Sequence, residues 1–450
     1  MLRYKKPDLI CRKSQIFKVA LLLIMTLFMA YTFYVKRDPW FQSDSESTPI
    51  AMINAAKYDI DISGFKYGLN IMFSAGKEQT WETWNYLDAY RIYADGKLYG
   101  GMIPYSSQIG LQGWIYYYFA KAKIPNPLLF LRVDCCLLLS LIISLICYEL
   151  YLKYGLLLPS SFYLVSICSP WMRNLSASLY HVEFTWFIPM FLGLICLNNL
   201  NKRYWLYPLF FLAILVRSSC GYEYMPVIML SSIMFLVPEW ICSIKNKKQS
   251  RLLFKAIFGV GIFSLLGFAS AFVVHSYIRG NGNIFVGIND IYQNTALKRT
   301  VGIIGNTEIP EAVYASSFDV LWMYLNYYKK GISSNMTGRF TLLLLLLFPV
   351  CILFRKIMKR KHLLNRDMYL FIFSFITCIS WFILGKQHSF VHPHLNYVMW
   401  YMGFIQIGTY LVLKYILKLG YYIYTREEVS TQWFFKEKFI HKLQKEISRD

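Results

Sequence analysis

Apolar residues run through this chain in blocks rather than at alternating or helical spacing. VALLLIMTLFMAYTFYV, LLLSLIISLICYEL and FTLLLLLLFPVCILF each approach the roughly 20 apolar residues that carry a helix across a bilayer core. The blocks predict an all-α polytopic membrane protein with about ten transmembrane helices, at 18–35, 127–148, 155–170, 183–198, 204–217, 224–242, 255–276, 340–355, 368–384 and 395–416. Two long polar stretches, 36–126 and 277–338, separate them. The division is a membrane-embedded domain, 1–417, followed by a basic tail, 418–450.

Charge adds an orientation. Lysine and arginine fall in short bursts between the apolar blocks, as MLRYKKPDLICRK, NNLNKR, IKNKKQSR, FRKIMKRKH and the tail from Lys418. With Arg3, Lys5, Lys6, Arg12, Lys13 and Lys18 before the first span, an inside N-terminus puts every short basic connection and the C-terminus in the cytoplasm, as the positive-inside rule requires. The net charge of +22 is therefore spread along membrane loops. It is not gathered on one soluble face, so no nucleic-acid partner is expected. A chain that is 56% hydrophobic and 16% charged is also too apolar for a soluble domain of 450 residues. The first span follows a basic start without a small-residue cleavage site and reads as an uncleaved anchor. Most of the ten cysteines lie in apolar blocks, and neither long polar stretch holds one. They read as small core hydrophobes, not as a disulfide or zinc framework.

The alternation sends both long polar stretches to the outer face. In the first, QIGLQGWIYYYFAKAK is short for a span and dense in aromatics, which predicts an interfacial or re-entrant helix. The second, with GNGN, KRT, GNT and SSNMTG, predicts a partly mobile loop. No inverted repeat of the transporter kind is visible.

Carboxylates beside a membrane are costly unless hydrated, paired or used. Glu82 lies in KEQTWETWNYLDAYR, where a helix would set Glu78 and Glu82 on one face as a repelling pair, with Asp88 able to pair with Arg91. Glu183 opens an apolar run in RNLSASLYHVEFTWFIPMF, with His181 and Arg173 beside it. Arg217 ends a span, and Lys386, His388, His392 and His394 crowd into GKQHSFVHPHLNY, all on the outer side. Each has a plain reading: Glu82 as an exposed carboxylate, Glu183 as a charge at a helix N-terminus, and the cations as interfacial anchors. Together they also suit a transfer reaction in which a carboxylate takes a proton from an acceptor hydroxyl and cations stabilise a phosphate leaving group. No cofactor is specified, though the three histidines leave a divalent cation open.

Four segments carry a family resemblance: WETWNYLDAYRIYADGKLYGGMIPYSSQIGLQGWIYYYF, SPWMRNLSASLYHVEFTWFIPM, LAILVRSSCGYEYMPVIML and GKQHSFVHPHLNYVMW. In order, spacing and shared outer side they resemble the GT-C glycosyltransferases that use polyprenyl-phosphate sugars, over about residues 15–240 and 365–415. The resemblance implies an inverting transferase in the bacterial inner membrane. It would move one sugar from undecaprenyl phosphate to a hydroxyl of a cell-surface glycan, O-antigen or lipopolysaccharide, on the periplasmic side. It implies Glu82 as catalytic acid, with Glu78 and Asp88 as rivals because position 81 is Trp where the family has Asp. Glu183, with His181 and Arg173 near, would position the sugar. Arg217, Lys386 and His388 would meet the phosphate, and Trp81 and Trp84 would stack on sugar rings. A synthase that charges the lipid and a flippase that turns it over would act upstream. Two other readings stay open. One is an O-antigen polymerase or ligase, to which Arg279, Lys298, Arg299, Lys329 and Lys330 of the second stretch would belong. The other is a lipid-linked sugar flippase or transporter.

Overall fold

In the computed structural model, the described residues are 7–35, 45–302, 311–326, 337–357 and 366–427. The predicted tail from 428, most of the basic connection after 357 and parts of the second polar stretch lie outside them. The chain is mostly helical, with one small sheet.

Among the described residues, four helices are long and apolar enough to cross a membrane: α1 (Pro7–Val35) through its segment Ile16–Val35, α5 (Pro127–Tyr154), α12 (Lys247–Arg279) and α18 (Arg366–Leu384). Their starts follow local chemistry. Asn126 accepts a hydrogen bond from the Leu129 N–H with Pro127 in the first turn, and Asn246 accepts from Gln249, each satisfying an N–H the helix cannot. Between α5 and α12 the helices are shorter: α6 (Leu157–Cys168), α7 (Pro170–Leu175), α8 (Phe184–Asn198), α9 (Arg203–Cys220), α10 (Met225–Ser231) and α11 (Leu236–Cys242). At 1.5 Å per residue the 15 residues of α8 reach about 22 Å, short of a ~30 Å core. The polar NNLNK turn bends the chain by 112° between α8 and α9, and a second break bends α10 against α11 by 47°. Among the described residues, counting each bent pair as one span gives up to six candidates by length and composition, fewer than the ten blocks expected from the sequence. The block pattern finds where apolar helices lie; it does not register where they break.

The first polar stretch folds as a unit of its own. It contains α2 (Ser47–Lys57), β1 (Asn70–Ser74), α3 (Leu87–Ala94), β2 (Tyr99–Pro104) and α4 (Leu111–Lys121). The β1–β2 hairpin departs from the all-helical expectation. Asn70 pairs with Pro104 and Ser74 with Tyr99, and Gly100 makes this approach feasible because a Cβ there would lie 2.5 Å from the Ser74 carbonyl oxygen. Residues 78–84 are irregular apart from a bend at Thr80 and a turn at 81–83, so Glu78 and Glu82 do not share a helix face. Ile50, Ile53, Ile92, Leu131 and Leu179 gather into a core under this unit, separate from the large bundle core around Trp171, Trp186, Tyr397 and Trp400.

The described residues of the second polar stretch are mostly helical. α12 runs on to Arg279, and α13 (Ile284–Ile291), a π-helical turn at Tyr292–Ala296 and α14 (Leu297–Thr300) follow, then α15 (Glu311–Tyr314) and α16 (Ser317–Asn326). Asn283 caps α13, and Arg279 ties the arm down through Asp290 and the Ser106 carbonyl. α17 (Thr337–Ile357), α19 (Lys386–Val391), α20 (Pro393–Asn396) and α21 (Phe404–Glu427) complete the bundle with α18.

Candidate functional site

Two tight turns meet beneath the hairpin. One joins α7 to α8 through Tyr180, His181, Val182 and Glu183; the other joins α9 to α10 through Gly221, Tyr222, Glu223 and Tyr224. Each acid adjoins a residue in left-handed backbone, Val182 (φ 43°) and Tyr224 (φ 65°). Such conformations cost about 1–3 kcal/mol each in a residue with a Cβ and concentrate at working sites. Arg217, buried at the end of α9, staples the turns. It donates to the His181 carbonyl (3.2 Å) and to the Glu223 carbonyl (3.2 Å), and lies over the Trp186 ring (5.6 Å). Gln112 of α4 adds a second staple through the carbonyls of Tyr180 and Cys220, both at 3.1 Å.

Glu223 is the electrostatic centre. Arg299 of α14 meets its carboxylate at 2.8 Å, Arg217 stands at 3.9 Å and the Tyr180 hydroxyl donates at 3.3 Å. Burial alone would raise this carboxyl, but Arg299 and Arg217 hold it below the ordinary range, so it is ionised. Two guanidinium groups around one carboxylate leave the centre with a surplus positive charge. His181 does not add to it: burial pushes it down to about 4, despite the pull of Glu223.

Glu183 is the opposite case. Its side chain is fully buried, and neither oxygen meets a hydrogen-bond partner among the described residues. Burial raises it well above the carboxylate range, so it holds its proton.

The other residues singled out from the sequence fall in three places. Asp88 is buried under the hairpin, where it accepts from Lys77 (2.8 Å) and the Ser74 N–H (3.3 Å) and faces Arg91 (3.6 Å). Burial would raise it, but these partners hold it low. Glu82 is exposed on the turn between Trp81 and Thr83, held low by its own N–H and the Thr80 hydroxyl. Trp81 and Trp84 pack edge-on at 5.9 Å beside it. Lys386 donates to the Val313 carbonyl (3.1 Å), and Arg173 lies in α7 within electrostatic reach of Tyr401. His388, pushed far down by burial and then by His392 and Arg299, accepts at Nδ1 from the Asn396 amide at 3.0 Å.

A line of ring contacts joins these places. It runs from Trp81 to Tyr105 (6.0 Å), Tyr180 (6.4 Å), His181 (5.0 Å), Trp186 (6.1 Å), Tyr224 (4.9 Å), Trp381 (5.3 Å) and His388 (5.6 Å), then to His392 (4.9 Å) and His394 (5.8 Å). Trp81, His181 and His388, far apart in sequence, are thus joined by one run of ring contacts, and Arg217 meets it at Trp186. Among the described residues no group of three or more His, Cys, Asp or Glu is set to hold a metal ion.

Set against protein-family models, characterised proteins and solved structures, the chain matches none. The site's chemistry therefore carries the functional argument. Sequence reasoning named Arg217 but passed over Glu223, six residues on, although an acid inside CGYEYMP, between apolar runs, carries the same signal as Glu183. Arg299 entered only as one of several basic residues, because nothing local in ALKRT shows which cation the arm turns inward.

Proposed function

We propose that this protein is a GT-C-like membrane glycosyltransferase, taking a sugar from a polyprenyl-phosphate donor to a hydroxyl of a cell-surface glycan at the outer face of a bacterial inner membrane. The observation that carries the reading is the surplus positive charge around Glu223, at a turn that Arg217 ties to the turn bearing the buried Glu183. A phosphate needs fixed cations, and guanidinium groups suit it best. Sugar rings need aromatic faces, which Trp81, Tyr105 and Tyr180 supply. In this reading the shorter apolar helices join the long ones to make ten crossings, with both termini cytoplasmic.

The steps follow from the chain's own groups. Arg217 and Arg299 stabilise the charge that grows on the phosphate as the glycosidic bond breaks. Lys386 and His388, at the far end of the ring line, bound the donor side. Glu82, ionised and open to an incoming glycan, accepts the acceptor hydroxyl's proton as that oxygen attacks the anomeric carbon. Glu183, holding its proton, donates a hydrogen bond to a sugar oxygen. Asp88, with its three partners, keeps the hairpin in place. The test is to express Glu82→Gln and Glu183→Gln in a host whose surface glycan the wild-type protein modifies. Each variant should insert and leave the glycan unmodified; full modification by both would remove these assignments. Against a polymerase, loss of the protein should remove a side branch and leave glycan chain length unchanged. The nearly charge-free interiors of the long apolar helices weigh against a transporter.

A further inference from the structure

Gln108 is the buried polar group that the transfer steps leave unused. It lies in the short connection between β2 and α4, fully buried, and neither its Nε2 nor its Oε1 meets a partner among the described residues. Gln112, whose Nε2 staples the two turns, also leaves its Oε1 without a partner. Leaving a whole amide unpaired in an interior works against stability, and such a group calls for a reason.

The surroundings of Gln108 supply one. The point where a Cβ on Gly221 would sit lies 2.5 Å from Gln108 Oε1 and 2.6 Å from Glu223 Oε2. The amide and the carboxylate thus crowd the same spot, which only a glycine leaves clear. Turning the amide over exchanges its donor and acceptor ends at that spot. A hydroxyl both donates and accepts, so adjacent hydroxyls suit an amide and a carboxylate oxygen side by side. The charge balance narrows the choice. Arg299 and Arg217 already oversupply Glu223 with positive charge, so an ammonium sugar would add a cation to two others. A carboxylate sugar would face Glu223 directly.

We propose that Gln108, with Gln112 Oε1 and Glu223 Oε2, forms a subsite that reads adjacent hydroxyls of a neutral sugar, reached along Trp81, Tyr105 and Tyr180. Trp81 is half exposed (52%) while Tyr180 is buried (8%), so the aromatic line leads from the surface to this point. The inference rests on the lipid-phosphate-sugar reading and specifies what that sugar presents.

The test uses the full-length protein in lipid nanodiscs and follows tryptophan fluorescence on titration. The probes are polyprenyl phosphate, its glucose, galactose and mannose esters, and its 4-amino-4-deoxyarabinose ester. Wild-type protein should bind at least one neutral ester about tenfold more tightly than bare polyprenyl phosphate, and the amino-sugar ester no more tightly. Gln108→Leu should erase that preference, keep the affinity for polyprenyl phosphate, and melt at the same or a higher temperature, since it removes an unpaired amide. Gln108→Asn should keep part of the preference. Equal wild-type binding of bare and neutral sugar-bearing lipid would overturn the subsite and leave the phosphate reading standing. So would an amino-sugar preference, or a Gln108→Leu variant that melts lower and binds every probe more weakly. Wild-type protein that binds no probe would remove the underlying reading, and the subsite with it.

Discussion

Two groups of buried carboxylates, less than a domain apart, are treated in opposite ways. Under the hairpin, Asp88 has Lys77, Arg91 and the Ser74 N–H. Glu46, at the start of α2, has Arg132 through two nitrogens, the Tyr90 hydroxyl (3.1 Å) and the Leu179 N–H (3.3 Å). At the turns, Glu183 has no hydrogen-bond partner among the described residues, and Glu223 shares two arginines that its single charge cannot balance. The first arrangement balances each acid with cations, and among the described residues it leaves only Asp88 Oδ1 without a hydrogen bond, 3.6 Å from Arg91. The second is unfinished at both acids, one lacking donors and the other surrounded by excess cation. A protein tolerates such imbalance where something else completes it. The Glu46 contact to Leu179 links the two, because it anchors the segment that enters the strained turn at Val182.

This contrast can be broken from either side. The largest effect on stability should come from Glu46→Ala, which strands Arg132 in a half-buried position; breaking such a pair costs about 3 kcal/mol or more. Denaturant unfolding in detergent should show it, and a change below about 0.5 kcal/mol, the scale of a surface substitution, would mean the pair is not structural. Next, Arg299→Gln should raise the KM for a lipid-phosphate donor about tenfold, the scale of one charge-assisted hydrogen bond, with little change in melting. A smaller effect belongs to His181. Its folded value of about 4 lies below its ordinary 6.5, so folding holds it neutral. Its contribution to stability is full above pH 6.5 and is lost as pH falls towards 4. Melting of the wild-type protein should drop across that window, and His181→Gln should flatten the drop.

How much of this the sequence shows differs by region. The apolar blocks mark α1, α5, α12 and α18 because a membrane crossing writes a long unbroken run. They say less from 155 to 242, where short helices bend at polar turns and composition alone does not say how two pieces are angled. The first polar stretch hides its hairpin because the register of β1 against β2 depends on Gly100 fitting the Ser74 backbone, a contact between distant positions. Within the site, Glu183, His181 and Arg217 stand out in the sequence as ionisable groups in apolar surroundings. Glu46, Gln108 and Arg299 do not, since what distinguishes them is which partner the fold brings, or withholds. Asp88 and Glu82 are equally conspicuous in WETWNYLDAYR, yet one is buried among three partners and the other is exposed.

The most direct measurement compares Glu183→Gln with Asp88→Asn in the same membranes, reading melting temperature and glycan modification together. Glu183 is raised by burial above its usual 4.5, so the stability of its neutral form is full below that pH and falls as pH rises towards the folded value. Glutamine keeps the neutral shape without that loss. The account predicts that Glu183→Gln melts at or above wild type, most clearly in alkaline buffer, and modifies no glycan. It predicts that Asp88→Asn melts lower and still modifies glycan in proportion to the folded protein present. Wild-type modification by Glu183→Gln, together with abolished modification by a fully folded Asp88→Asn, would contradict it.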